Sequence, residues 1–165
     1  MQKSLFKTMI SSADSGLALA ASALQDTVKL GQPVWIAYWI ANGGRRREFR
    51  NDPTFFRFEV ADSSGRLLDR APRSYDPGST GTAPNITLPA RGAIGQAINL
   101  ACAAPNYALR AGTDTVCDWS FTFDQAGRYT VTVRYVPVPP PDPVDRNDRR
   151  FDELTSNEFS IVLTP

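Results

Sequence analysis

Histidine is absent from this 165-residue chain. Its absence removes Ser-His-Asp and Cys-His nucleophilic sites, imidazole acid–base catalysis and every His-containing metal site. Cysteine is scarce, with only Cys102 and Cys117, and two thiolates cannot fill a four-ligand zinc site unaided. The pair lies at either end of a loop-like segment, at a spacing that one disulfide can close. A disulfide favours an oxidising, extracytoplasmic compartment; two unpaired thiols are the other reading. No run approaches the roughly 18 apolar residues of a membrane-spanning helix. An excess of charge is missing too. Lys and Arg number 18 against 17 Asp and Glu, a net +1, so nothing global draws the chain to nucleic acid or to an anionic bilayer. Neither Gly43-Gly44 nor any other glycine pair matches a phosphate-cradling loop, and no cofactor signature occurs. These absences point to a protein that is not an enzyme and takes no cofactor and no metal.

What is present suits one folded domain. Pro (13) and Gly (11) stand only slightly above ordinary usage, the mark of a turn-rich folded chain. Lys3 and Lys7 followed by an Ala-rich stretch imitate a secretory signal. Ser11, Ser12, Asp14, Ser15 and Gly16 interrupt it where an apolar run of about 7–15 residues belongs. Residues 1–16 are therefore read as a flexible N-terminus and 17–165 as one domain.

Within that domain short apolar–polar alternations recur between turn signals, and no long helical period appears. Leu17 to Leu24 is the first expected strand. Val34 to Ala41 is the clearest, with Val34, Ile36, Tyr38 and Ile40 on one face. An arginine-rich loop spans Asn42 to Pro53. In Phe55 to Ala61, Phe56, Phe58 and Val60 alternate with Arg57 and Glu59. Asp62-Ser63-Ser64-Gly65 is a hairpin turn by composition, and Arg66 to Asp69 returns as a short partner. Ile86 to Leu88, Ala93 to Ala101, Trp119 to Phe123, Tyr129 to Tyr135 and Asn157 to Leu163 complete the set. The expected core is Val34, Ile36, Tyr38, Ile40, Phe56, Phe58, Val60, Ile98, Phe121, Phe123, Tyr129, Val131, Val133, Phe159, Ile161 and Leu163. Residues 136–155, with five prolines and the charged run Asp145 to Arg150, favour polyproline II and form a long connection before the last strand.

The order Leu30-Gly31-Gln32-Pro33-Val34, Phe56-x-Phe58-x-Val60-x-Asp62-x-x-Gly65, Leu88-Pro89-x-x-Gly92 and Phe121-x-Phe123-x-x-x-Gly127-x-Tyr129-x-Val131 resembles bacterial immunoglobulin-like β-sandwich modules. Asp124-x-x-Gly127-x-Tyr129 resembles the tyrosine corner of Greek-key sandwiches. The chain is also generically similar to the intracellular proteinase inhibitor group, although no reactive-site residue carries across. The resemblance implies an all-β, immunoglobulin-like Greek-key β-sandwich of seven to nine antiparallel strands. It names no ligand, because the class hosts many functions.

Three surfaces are candidate sites. In such a sandwich the loop after the second strand and the loop before the last share one end. That end brings Arg45, Arg46, Arg47, Phe49 and Arg50 towards the Pro-rich connection with Arg146, Arg149 and Arg150. Arginine forks take carboxylates or phosphates, Phe49 would be an aromatic anchor, and Pro139 to Pro143 a stiff wall for another protein. The alternative is a solvated loop neutralised by Asp142, Asp145, Asp148, Asp152 and Glu153. Trp35 and Trp39 project opposite to the core face about 13 Å apart, a spacing that suits a carbohydrate platform, a subunit interface in an oligomer, or packing under a covering loop. Asp142, Asp145, Asn147 and Asp148 lack the spacing of a calcium loop and read as solvated. Asp14-Ser15-Gly16 echoes an aspartic protease triplet but occurs once.

Overall fold

Alternating apolar and polar positions build ten strands: β1 (Leu17–Ala23), β2 (Thr27–Lys29), β3 (Trp35–Asn42), β4 (Arg47–Arg50), β5 (Phe56–Ala61), β6 (Asn85–Leu88), β7 (Ala93–Asn99), β8 (Gly127–Tyr135), β9 (Leu154–Thr155) and β10 (Phe159–Thr164). The computed structural model describes residues 16–50, 55–69, 85–101, 121–137 and 153–165. No helix among them is long and apolar enough to cross a membrane. Residues 1–15 of the expected N-terminal segment 1–16, most of the Pro-rich connection and both cysteines lie outside the described residues.

The protein is an all-β sandwich. One sheet has the order β1-β3-β7, the other β2-β10-β8-β5 with β9 on β8, and β4 and β6 form a separate two-stranded ribbon. Every pairing of these strands is antiparallel except β2 with β10, which is parallel. β3 lies in the middle of its sheet, paired along both edges, and carries Trp35, Ala37, Trp39 and Ala41 on the face away from the core. β8 alternates strictly, with Tyr129, Val131, Val133 and Tyr135 buried. Tyr129 Oη donates to the Gln125 carbonyl at 2.8 Å, the bond a tyrosine corner requires.

Between the sheets the expected core forms. Ile98, Phe123 and Phe159 are only partly buried but pack against it, and the other thirteen expected residues are buried. Tyr38 from one sheet meets Phe56 at 4.6 Å and Phe58 at 5.8 Å between ring centroids. Such offset aromatic contacts contribute about 0.5–1.5 kcal/mol each beyond the area they bury.

Four local expectations change. Arg47 to Arg50 belongs to a strand, not a loop, since its alternation lets Phe49 turn inward while the chain pairs with β6. Within the expected strand Trp119 to Phe123 only Phe121 to Phe123 are described. Phe121 forms one bridge, its N–H donating to the Leu100 carbonyl at 2.9 Å. β9 forms at the end of the Pro-rich connection, where Ser156 Oγ accepts from the Val133 N–H at 2.9 Å. The last strand starts at Phe159 rather than Asn157, whose side chain is used elsewhere.

Candidate functional site

The arginine end is organised by Asn42, which is fully buried. Its Nδ2 donates to the carbonyls of Arg45 (2.7 Å), Leu88 (3.2 Å) and Pro89 (3.1 Å), and its Oδ1 accepts from Gly44 N–H at 3.1 Å. Its backbone N–H donates to Gly92. A buried amide with all these partners is not a liability, and it locks the turn that follows β3. Arg45 and Arg46 are exposed on that turn, whereas Arg47 is half-buried. Phe49 corrects its expected role as an anchor for a partner. It is 0% exposed and packs edge-on against Tyr135, ring centroids 6.4 Å apart. An aromatic on a strand with a charged residue on either side turns to the apolar side, and here that side is the core. The Val136 N–H donates to the Phe55 carbonyl at 2.7 Å, so the Pro-rich connection leaves β8 beside the start of β5. Arg149, Arg150 and Pro139 to Pro143 lie outside the described residues, as do the acidic residues once considered for calcium.

On the opposite face of β3 the tryptophans differ. Trp35 is 43% exposed. Trp39 is half-buried and packs with Ala20, Ala41 and Ala93. A methyl group at Gly95 would collide with the Trp39 indole and come within 2.9 Å of the Tyr38 carbonyl. Glycine at 95 is therefore what lets the ring lie over β7.

The edges of the β1-β3-β7 sheet are the second feature. Asn42 N–H bonds Gly92 and Leu100 N–H bonds Val34. With the β3–β7 register, these bonds place the backbone groups of Ile94, Gln96 and Ile98 towards β3, and those of Ala93, Gly95, Ala97 and Asn99 towards the outer edge. By the same logic Leu24 N–H to Trp35 and Gly43 N–H to Gly16 leave the odd residues of β1 facing outward. There the Asn157 side chain takes the place of a strand, accepting from Ala21 N–H at 3.1 Å and donating to the Ala21 carbonyl at 3.0 Å. β5 is covered by Arg66 to Leu68, with Leu68 N–H on the Val60 carbonyl and a bridge from Ala61 to Leu67. That return is set by a turn with Gly65 at φ 82°. The Ser64 hydroxyl holds the Asp62 carboxyl down at about 2, from an ordinary 3.8, with the Arg66 and Ser64 amides and the Arg66 guanidinium helping. β7 has no such cover among the described residues, and Gly95, Gln96 and Ala97 are exposed.

Beneath that edge Tyr38, Ile40, Phe56, Ile94, Gly95 and Gln96 line a cavity of about 140 Å³. Tyr38 Oη donates to Gln96 Oε1 at 3.0 Å, a bond between two of these lining residues. No cluster of three or more metal-ligating side chains occurs among the described residues.

No family model matches the chain, and no curated protein matches it. A solved structure described as "AvmM Catalyzes Macrocyclization in Alchivemycin A Biosynthesis" is similar at 10% identity and a TM-score of 0.34, over 92% of this chain and 90% of that one. Sequence reasoning missed Asn42, Asn157 and the β7 edge. The two asparagines carry no periodic signal, because each acts through partners far away in sequence. For β7 a signal existed: the strand has no charge and no proline.

Proposed function

We propose that the chain is an immunoglobulin-like Greek-key module that binds another protein without catalysis. Support for the class comes from strand order: β1, β3 and β7 face β2, β10, β8 and β5, the second strand and the last pair in parallel, and Tyr129 makes its corner bond. The binding reading rests on one observation, the Asn42-locked turn that presents the Arg45 and Arg46 guanidiniums to solvent from a rigid sandwich. Guanidinium forks recognise carboxylates bidentately, so an acidic segment of a partner protein is the ligand they fit. A protease is one such partner in the inhibitor version. The test captures partners from a host lysate with the wild type and with Arg45→Ala/Arg46→Ala. Loss of a captured band at unchanged Tm is expected, and equal capture ends the reading.

A carbohydrate-binding reading is second, favoured by the exposure of Trp35. Trp39, covering Gly95, offers only part of its ring. Soluble oligosaccharides should then shift tryptophan fluorescence, and unchanged spectra across several sugar classes would remove it.

A further inference from the structure

Among the described residues no strand pairs with the outer edge of β7. Natural edge strands are blunted by Lys, Pro, bulges or a covering segment, since a bare row of N–H and C=O groups templates pairing with another chain. β7 has the sequence Ala-Ile-Gly-Gln-Ala-Ile-Asn, with no Lys or Pro and, among the described residues, no covering segment, and its middle residues are exposed. The strand reads almost the same in both directions about Gln96. We propose that two copies pair β7 to β7 antiparallel across a two-fold axis at Gln96, joining two three-stranded sheets into one.

The chemistry agrees at each level. An isologous contact needs a self-complementary patch, and this register sets Ile94 opposite Ile98, Gly95 opposite Ala97, and Gln96 opposite itself. The residues whose backbone groups face the outer edge are Gly95, Ala97 and their odd-numbered neighbours. These odd residues meet one another across the axis, so both copies satisfy their free amides and carbonyls together. Shifting the axis to Gly95 would set Ile94 against Gln96 and lose that match. Neutrality matters as well, since like charges directly opposite would oppose pairing. Tyr38 already occupies Gln96 Oε1, which leaves the Gln96 amide NH2 to donate to Gln96 of the second copy. The proposal is independent of the arginine end, whose variants leave β7 untouched.

Light scattering coupled to size exclusion, run on the full chain over a micromolar dilution series with reductant throughout, tests it. The reductant prevents Cys102 or Cys117 from linking copies. The expected wild-type mass is that of two chains, falling on dilution. Gln96→Lys and Gln96→Glu place like charges face to face, and each should raise the dimer dissociation constant about tenfold or more. Mixing the two variants should restore a dimer containing one of each, which pairing elsewhere on the surface would not do. Ala97→Pro is a second probe, because it removes an amide that faces the outer edge and spares every bond to β3. It too should yield monomer. A wild type of one-chain mass across the series overturns the proposal. So does a dimer whose dissociation constant neither Gln96→Lys nor Ala97→Pro alters.

Discussion

β1 and β7 are the two edges of one sheet, both seven residues long and both uncharged, yet they are finished in opposite ways. β1 meets the Asn157 amide, which bonds both backbone groups of Ala21 from 136 positions away in sequence. β7 meets nothing comparable among the described residues. Among the described residues, two strands of similar composition therefore differ in how their edges are met because of a side chain that belongs to neither. An edge is closed by what the fold brings to it, not by its own residues.

The largest effect should come from the residue that serves both edges. Asn42 is the last residue of β3 and pairs with Leu17, with its neighbour Gly43 bonded to Gly16 before β1 and its own N–H bonded to Gly92 before β7. Asn42→Ala strands the carbonyls of Arg45, Leu88 and Pro89, and should lower unfolding free energy by about 3 kcal/mol in urea titrations. Amide exchange should quicken at Gly43 and Gly44. A wild-type midpoint would show that the turn holds itself.

Opening β1 alone is the next step down. Asn157→Ala removes two part-buried hydrogen bonds and should cost about 2 kcal/mol. Exchange should accelerate at Ala21 and stay unchanged at Gly95 and Ala97. Asn157→Asp keeps an acceptor for Ala21 N–H but no donor for its carbonyl, so it should fall between. If exchange at Ala21 does not move, the two edges are equivalent after all.

On the β7 side, Gly95→Ala drives a methyl into the Trp39 indole. The half-buried ring can shift, but the Tyr38 backbone carbonyl 2.9 Å from the added carbon must give as well, so a loss of about 1–2 kcal/mol is expected. Tryptophan emission should move to longer wavelength as Trp39 leaves the sheet. An unchanged spectrum and Tm would mean that the ring does not depend on a bare backbone there.

The smallest effect concerns β5, whose cover depends on the Asp62 turn. Its carboxyl lies at about 2 in the folded protein, below an ordinary 3.8. The turn is therefore fully supported above about pH 4, and that support drains as pH falls towards 2. Carboxyl NMR titration of Asp62 reads this directly, and Asp62→Asn should flatten that part of the stability profile. An ordinary titration midpoint would show the Ser64 bond to be absent in solution.

Much of the sandwich was legible because burial of alternate residues leaves a periodic trace. The β3 face of Ile36, Tyr38 and Ile40, the β8 alternation and the Asp62–Gly65 turn all follow from local sequence. The candidate site was less legible. Phe49 sits among arginines and looked like a loop anchor, but its ring faces Tyr135, a residue far along the chain, and neither segment alone records that contact. Trp35 and Trp39 read as equals because they share a strand face. Gly95 of a neighbouring strand makes them unequal by admitting one indole.

Sequence by itself determined that the chain is all-β, that the alternating residues of β3, β5, β8 and β10 form much of its core, and that histidine chemistry is excluded, since composition and two-residue periodicity are local properties. Tertiary structure decided which edge the Asn157 amide meets, which tryptophan is exposed and that Asn42 and Asn157 tie distant segments together. Those outcomes depend on hydrogen bonds and contacts between residues tens of positions apart, and no local pattern encodes such pairings.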